Sequence, residues 1–210
     1  MASKNKKDKV KFKFTKELLF LILFLVAIIA TTIVLAIPSA DEKRTNAYNE
    51  AITTYNATNS TSYATLDYDN VYENVDYEGL VEVLAEAEGY TYVLYGSTNV
   101  STVIMYLATI NNTAKTQEIE TVYLYSSVWV EEQEDLEADE FELDYKDRED
   151  KINSGKDASV EGLSLLDYPA LLVFEDGVLV FNSQAYTDSD QYTWETYIHV
   201  AFTSYVVVEE

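Results

Sequence analysis

The sequence predicts an α/β fold in which helices flank a mixed sheet, preceded by a single apolar helix near the N-terminus. An apolar run occupies residues 18–37, strand and helix patterns alternate from about residue 71, and an Asp-Gly turn joins two short apolar runs near the C-terminus. With 210 residues, 48% of them hydrophobic, the chain is long enough to bury one sizeable core.

The charge of the chain is divided unevenly between its two ends. Residues 1–17 contain seven lysines against Asp8 and Glu17, whereas residues 41–210 contain 35 acidic and seven basic side chains. A surface that acidic repels phosphate backbones, so we expect no nucleic-acid partner. Solubility is the simplest explanation of the acidity, and any protein partner is expected to be basic.

Residues 18–37 predict a transmembrane helix. The run LLFLILFLVAIIATTIVLAI has only two threonines as polar residues, and twenty helical residues rise about 30 Å, the thickness of the hydrocarbon layer. The lysines of residues 1–17 predict a cytoplasmic N-terminal tail, with everything after Pro38 outside the cell or in the periplasm. A signal peptide cleaved near Val34–Ala36 is the alternative and would make the protein secreted, but its apolar region is usually shorter.

Residues 38–70 are polar and predict a juxtamembrane stalk containing a loose helix, so that the folded domain spans residues 71–210. The domain begins with a helix that Asp76 caps and Gly89 ends.

A strand–helix–strand unit follows the first helix of the domain. The strand Tyr90–Gly96 is rich in aromatic and β-branched residues, and the helix Ser101–Lys115 is expected to have Ser101 as its cap. A second strand over Glu120–Val130 completes a βαβ unit, whose crossover is nearly always right-handed.

Residues 131–150 form an acidic insertion with twelve carboxylates. We expect an exposed helix or loop, and the alternative of a calcium site does not fit the spacing of an EF-hand loop.

The last part of the chain predicts a hairpin and a final helix. The runs ALLVF and VLVF are joined through Glu175–Gly177, with Pro169 directly before the first of them. A helix is expected from about Ser189, and the end YVVV is compatible with either helix or strand.

This succession of elements, with YVLYGSTNVSTVIMYLATINNTAK and YPALLVFEDGVLV as its strongest blocks, resembles the thioredoxin superfamily, and most of all its membrane-anchored bacterial members. The resemblance covers roughly Val71–Val208. It implies a thioredoxin-like mixed sheet, and it places the two cysteines of the family's Cys-x-x-Cys motif at Val100 and Val103. It also places the family's cis-proline at Pro169, preceded by Tyr168.

The chain has no cysteine at all, so thiol–disulfide exchange by its own side chains is impossible. The resemblance therefore implies a redox-inactive member, with no catalytic residue, cofactor or metal ligand assigned. In the family, substrate peptides lie along this turn and the cis-proline. Val100, Ser101, Val103, Tyr168 and Pro169 are accordingly candidate contacts for an extended peptide, or simply packing residues that replace lost cysteines.

Three functions remain open at the level of the sequence. The first is a membrane-anchored, extracytoplasmic module that binds or scaffolds peptides or envelope proteins. The second is a non-redox enzyme on the same scaffold, for which Ser101 and the single histidine, His199, are the only visible pair. The third is a structural acidic surface protein.

Overall fold

The structure is a computed structural model that describes residues 15–36, 38–131, 138–186 and 193–206. The chain divides into two compact units, Met1–Ala40 and Asp41–Glu210.

In its described residues the first unit contains helix α1 (Lys16–Ala36), which coincides with the apolar run. Most of the described large apolar side chains of α1 are exposed, Phe20 most of all at 74%. Among the residues that the structure describes, no helix meets the combined length and apolarity needed to cross a membrane. The transmembrane helix therefore stays a prediction.

All but the first residue of helix α2 (Ala40–Asn59) belongs to the second unit. Tyr48 and Ile52 of this helix are buried in the main core cluster, and the Asn49 side chain exchanges hydrogen bonds of 2.9 and 2.7 Å with the backbone of Leu66. These contacts join α2 to the folded domain predicted over residues 71–210, because the polar composition of this helix conceals a narrow apolar face that packs into the core.

One five-stranded mixed sheet forms the centre of the second unit, in the order β1-β3-β2-β4-β5. The first three strands in that order run parallel, and β4 is antiparallel to both β2 and β5. The elements follow in the chain order β1 (Tyr72–Val75), α3 (Tyr77–Glu86), β2 (Tyr90–Tyr95), α4 (Ser101–Thr116), β3 (Val122–Tyr125), α5 (Val128–Glu131), α6 (Ala138–Ile152), β4 (Ala170–Glu175), β5 (Val178–Asn182), a short 3₁₀ turn (Ser183–Tyr186) and α7 (Trp194–Ser204).

Helices cover both faces of the sheet. Successive residues of a strand point to opposite faces, so one strand contributes side chains to both core clusters. On β2, Tyr92 and Leu94 join the core cluster shared with α2, α4 and α7, whereas Val93 and Tyr95 join the cluster shared with α3 and the end of α6. This α/β arrangement, one mixed sheet with flanking helices, is compatible with the thioredoxin-like fold that the resemblance implies.

Most of the predicted elements agree with the structure. The Asp76 carboxylate accepts a hydrogen bond of 2.8 Å from the Gly79 N–H and so caps α3, which ends at Glu86, before Gly89. In the β4–β5 hairpin, Asp176 and Gly177 both have positive φ, at 49° and 76°, as a two-residue primed turn requires.

Two predicted boundaries change. The strand predicted over Glu120–Val130 ends at Tyr125 and is followed by the short helix α5. The final helix begins at Trp194, and residues 187–192 and 207–210, which include the predicted start and the end of YVVV, lie outside the described residues.

The described part of the acidic insertion is mostly helical, since α6 covers it from Ala138 onwards. The guanidinium of Arg148 on α6 lies between two aromatic rings, 4.6 Å from the centroid of Tyr77 and 4.5 Å from that of Trp129. This cation–π sandwich packs the helix against the end of the domain where α3 begins.

Candidate functional site

The candidate site lies where β2 ends and the chain turns towards α4. Tyr95 pairs with Ala170 in the antiparallel β2–β4 ladder, so Gly96, the residue after β2, faces Pro169. Gly96 has a φ of +154°, and a Cβ atom placed on it would lie 2.6 Å from Cγ2 of Val103 and 3.2 Å from Cβ of Pro169. Glycine is required here because the first turn of α4 and the Pro169 loop both contact its backbone.

The N-terminus of α4 is capped without a side-chain hydrogen bond. Val100 is the N-cap residue, and its N–H donates to the Ser97 carbonyl at 3.1 Å. The Ser97 hydroxyl accepts a bond of 3.2 Å from the Asn99 N–H. Ser101 is the first residue of the helix and is exposed, so the prediction that it caps α4 is wrong. The hydrogen bond from the Val100 N–H to the Ser97 carbonyl closes this turn, and the N-cap lies at Val100, one residue before the predicted cap.

The two valines of the turn lie in different environments. Val103 is only 1% exposed and belongs to the core cluster, beneath Gly96 and Pro169. Val100 is half-buried and packs on the edge of the same cluster. Val103 is therefore a packing residue, and of the two only Val100 presents surface to a ligand.

The loop before β4 carries Tyr168 and Pro169, both half-buried, and the peptide bond between them is cis. The Tyr168 ring lies edge-on to the ring of Tyr95, with 6.4 Å between centroids. The Tyr95 hydroxyl donates to the Leu165 carbonyl at 2.7 Å.

Gln184 holds the same loop from the side of β5. Its amide nitrogen donates to the carbonyls of Ser164 and Asp167 at 2.8 and 2.6 Å, and its amide oxygen accepts from the Ser164 N–H at 2.9 Å. The loop is thus fixed at both ends, so the position of Asp167 and Pro169 is set before any ligand arrives.

A cleft of about 530 Å³ opens beside Pro169, between this loop, the end of β5 and the start of α7. Tyr168, Trp194 and Tyr197 supply aromatic surface to it, and Glu161 and Asp167 supply acidic groups. Among the described residues that line the cleft, none is basic.

Sequence patterns did not indicate Trp194 or Gln184 as site residues, because both lie far along the chain from the turn. Fold topology alone brings them to it. Gly96 carried a usable signal, since a glycine at the end of a buried strand often marks a close backbone approach.

The residues considered for enzymatic chemistry form no hydrogen-bonded pair among the described residues. Ser101 and His199 are both exposed, on α4 and α7 respectively, and no hydrogen bond joins their side chains in the described part of the chain. Within the described residues, no group of His, Cys, Asp and Glu side chains has an arrangement that could hold a metal ion.

Glu149 on α6 is an acidic residue near the site whose pKa is shifted by its surroundings. Its carboxylate accepts a bond of 2.6 Å from the Leu165 N–H. Burial raises the pKa of Glu149 above its usual value, the Leu165 bond opposes that shift, and the charges of Asp150 and Asp167 add to it. The loop beside the cleft therefore lies in a region of negative potential.

The second unit belongs to the class of α/β domains. Its mixed sheet, with a proline loop facing the first turn of a long helix, is compatible with a thioredoxin-like fold. Comparisons with protein-family models, with curated proteins and with solved structures give no match for this chain.

Proposed function

We propose that this chain is a redox-inactive, thioredoxin-like binding module that holds an extended peptide, or an extended segment of an envelope protein, against the Tyr168–Pro169 loop. The observation that carries the proposal is the open cleft directly beside Pro169, on a loop that Tyr95 and Gln184 hold rigid. A rigid, concave surface that combines aromatic and polar groups suits a ligand that must be recognised without a covalent bond.

The contact surface is narrower than the sequence suggests. Tyr168, Pro169, Val100 and Ser101 are at least partly exposed, whereas Val103 is buried. Recognition in place of catalysis fits the side chains at the helix entrance, because a valine has neither a proton to transfer nor a sulfur to attack a disulfide.

The proposal includes a membrane anchor at residues 18–37, with the binding module outside the cell or in the periplasm. The lysine-rich residues 1–17 before the apolar run support this orientation. The exposed leucine and phenylalanine side chains of α1 support an apolar surrounding for that helix. Tethering would confine the module to partners at the same membrane surface.

The test selects peptide ligands and then asks whether the turn holds them. The full chain in detergent micelles is panned against a random twelve-residue peptide library, and enriched peptides are synthesised as fluorescent probes. Val100→Asp is expected to weaken their binding at least tenfold, because it places an unpaired charge at the contact surface.

Ile119→Asp is the matched control. Ile119 is also half-buried at the edge of the main core cluster, but it follows α4, beside the first residues of β2 at the opposite end of that strand. Circular dichroism confirms that both variants are folded. Equal binding by Val100→Asp and the parent chain, or equal losses in the two variants, rules the surface out.

A further inference from the structure

We infer that the cleft beside Pro169 is a subsite for one cationic side chain, a lysine or an arginine, of the bound peptide. The inference rests on the proposed function and adds the chemistry by which the peptide is selected. It is carried by the way Asp167, Glu161 and Trp194 are placed around one concavity.

The acidic residues of the cleft take part in no ion pair in the described part of the chain, although the Lys156 ammonium group donates a bond of 2.8 Å to the Val160 carbonyl, next to Glu161. The three ion pairs found there join Asp41 with Arg44, Asp69 with Lys115 and Asp144 with Arg148. Asp167 and Glu161 belong to none of them. Both residues are exposed to solvent although they line the cleft, so their carboxylates attract a cation through a field that salt screens.

The backbone of Asp167 is fixed by the Gln184 bond to its carbonyl, so its carboxylate is presented from a stationary loop. The negative charge of Asp167 also reaches Glu149, whose raised pKa it helps to produce after the larger effect of burial. An arriving cation therefore meets the combined field of several carboxylates.

An aromatic wall faces the same space. Trp194 is stacked on Tyr106 of α4, with 5.9 Å between centroids and an interplanar angle of 20°, and lies edge-on to Tyr197. The Tyr106 hydroxyl donates to a carboxylate oxygen of Glu195 at 3.0 Å, which anchors the stack. Tyr106 covers one face of the indole, so a cation from the cleft would use the other face, and tryptophan is the best aromatic partner for an ammonium or guanidinium group.

The chain contains an internal example of the same chemistry in the sandwich of Arg148 between Tyr77 and Trp129. That sandwich is closed by the chain's own arginine. The cleft beside Pro169 also has aromatic and acidic residues, but its described lining residues include no arginine. A cation of the bound peptide can therefore take the place in the cleft that Arg148 takes in the sandwich.

The experiment uses the fact that the chain has two tryptophans. The full chain in detergent micelles is labelled with 5-fluorotryptophan, and Trp129→Phe and Trp194→Phe assign the two fluorine resonances. Blocked heptapeptides Ala-Ser-Ala-Xaa-Ala-Ser-Ala, with arginine, glutamine or glutamate at Xaa, are the probes. The arginine peptide is expected to shift the Trp194 resonance, to leave Trp129 unmoved, and to bind about tenfold more tightly than the glutamine peptide.

Charge-removing variants give the matched comparison. Asp167→Asn with Glu161→Gln is expected to abolish the preference for arginine. Glu118→Gln with Glu120→Gln, which removes two charges from a different surface cavity, is expected to keep it. Raising the salt concentration from about 0.05 to 0.5 M is expected to weaken only the arginine peptide.

Two results would overturn the inference. If all three peptides shift Trp194 equally, the cleft binds peptides without a cationic subsite, and the proposed function stands. If no peptide shifts Trp194, the subsite is absent, and the Val100→Asp comparison then decides separately whether the proposed function survives.

Discussion

Gly96→Ala tests the close approach at the centre of the candidate site. The new methyl group would lie 2.6 Å from Cγ2 of Val103 and 3.2 Å from Cβ of Pro169, and the backbone φ of +154° would remain one that alanine rarely adopts. Both neighbours are held, Val103 by the core and Pro169 by its loop, so neither moves away without cost.

The expected loss has two parts. Overpacking a filled site costs about 1–3 kcal/mol, and a non-glycine residue at an unfavourable φ costs about 1–3 kcal/mol. The two together predict a loss of about 2–6 kcal/mol in the free energy of unfolding. With a urea m-value of about 2 kcal/mol per molar, the midpoint falls by about 1–3 M.

Gly89→Ala separates the two parts. Gly89 also has a positive φ, +75°, but a Cβ atom there would meet no atom within 4 Å. We expect Gly89→Ala to show the conformational cost alone, so its midpoint should lie clearly above that of Gly96→Ala. The measurement is urea unfolding of the full chain in a non-ionic detergent, followed by tryptophan fluorescence.

A double-mutant cycle identifies the clashing partner. In a Val103→Ala background the nearest methyl group is gone, so adding Gly96→Ala should cost less than it does in the parent chain. Equal costs for Gly96→Ala and Gly89→Ala, together with no coupling to Val103, would refute the contact between the turn and the helix.

Three further predictions concern the parts of the domain around the site. Ile52→Ala on α2 should lower the free energy of unfolding by about 2–5 kcal/mol, because Ile52 is fully buried. Thr54→Ala on the exposed side of the same helix should change it by less than about 0.5 kcal/mol. Similar urea midpoints for the two variants would show that α2 lies outside the core. Arg148→Ala should cost about 1–2 kcal/mol and make Trp129 more accessible to acrylamide in a Trp194→Phe background, while Lys151→Ala on the exposed side of α6 should do neither. Glu149→Gln should flatten the pH dependence of stability, measured by urea midpoints between pH 4 and 7. The raised pKa of Glu149 means that the folded state holds its proton more tightly, so the parent chain gains stability as the pH falls below neutral and loses this stability as the pH rises through the folded pKa. A slope unchanged from those of the parent chain and of the exposed-site control Glu86→Gln would contradict the burial of this carboxyl.

Local patterns predicted the elements whose stability depends on near neighbours in sequence. The Asp76 cap, the Asp176–Gly177 turn and strand β2 all depend on side chains within a few residues, and the structure confirms each of them. The two end points that changed, at β3 and at α7, are boundaries, which tertiary packing sets more than propensity does.

Helix α2 shows why the remaining elements could not be predicted. Its composition is polar, and only Thr45, Tyr48 and Ile52 are buried. So narrow an apolar stripe indicates a core helix only once a matching surface exists, and that surface is provided by strands and helices far along the chain.

The amino-acid sequence by itself determined what this protein lacks and where its regular elements form. With no cysteine, no arrangement of the chain supplies a thiol, so that conclusion needed no coordinates. Only the tertiary structure decided that Val103 is buried while Val100 reaches the surface, and that Trp194 and Asp167 border one cleft beside Pro169. The physical reason is that the chemistry of a side chain is local, whereas its burial and its neighbours depend on contacts between segments that are distant in the chain.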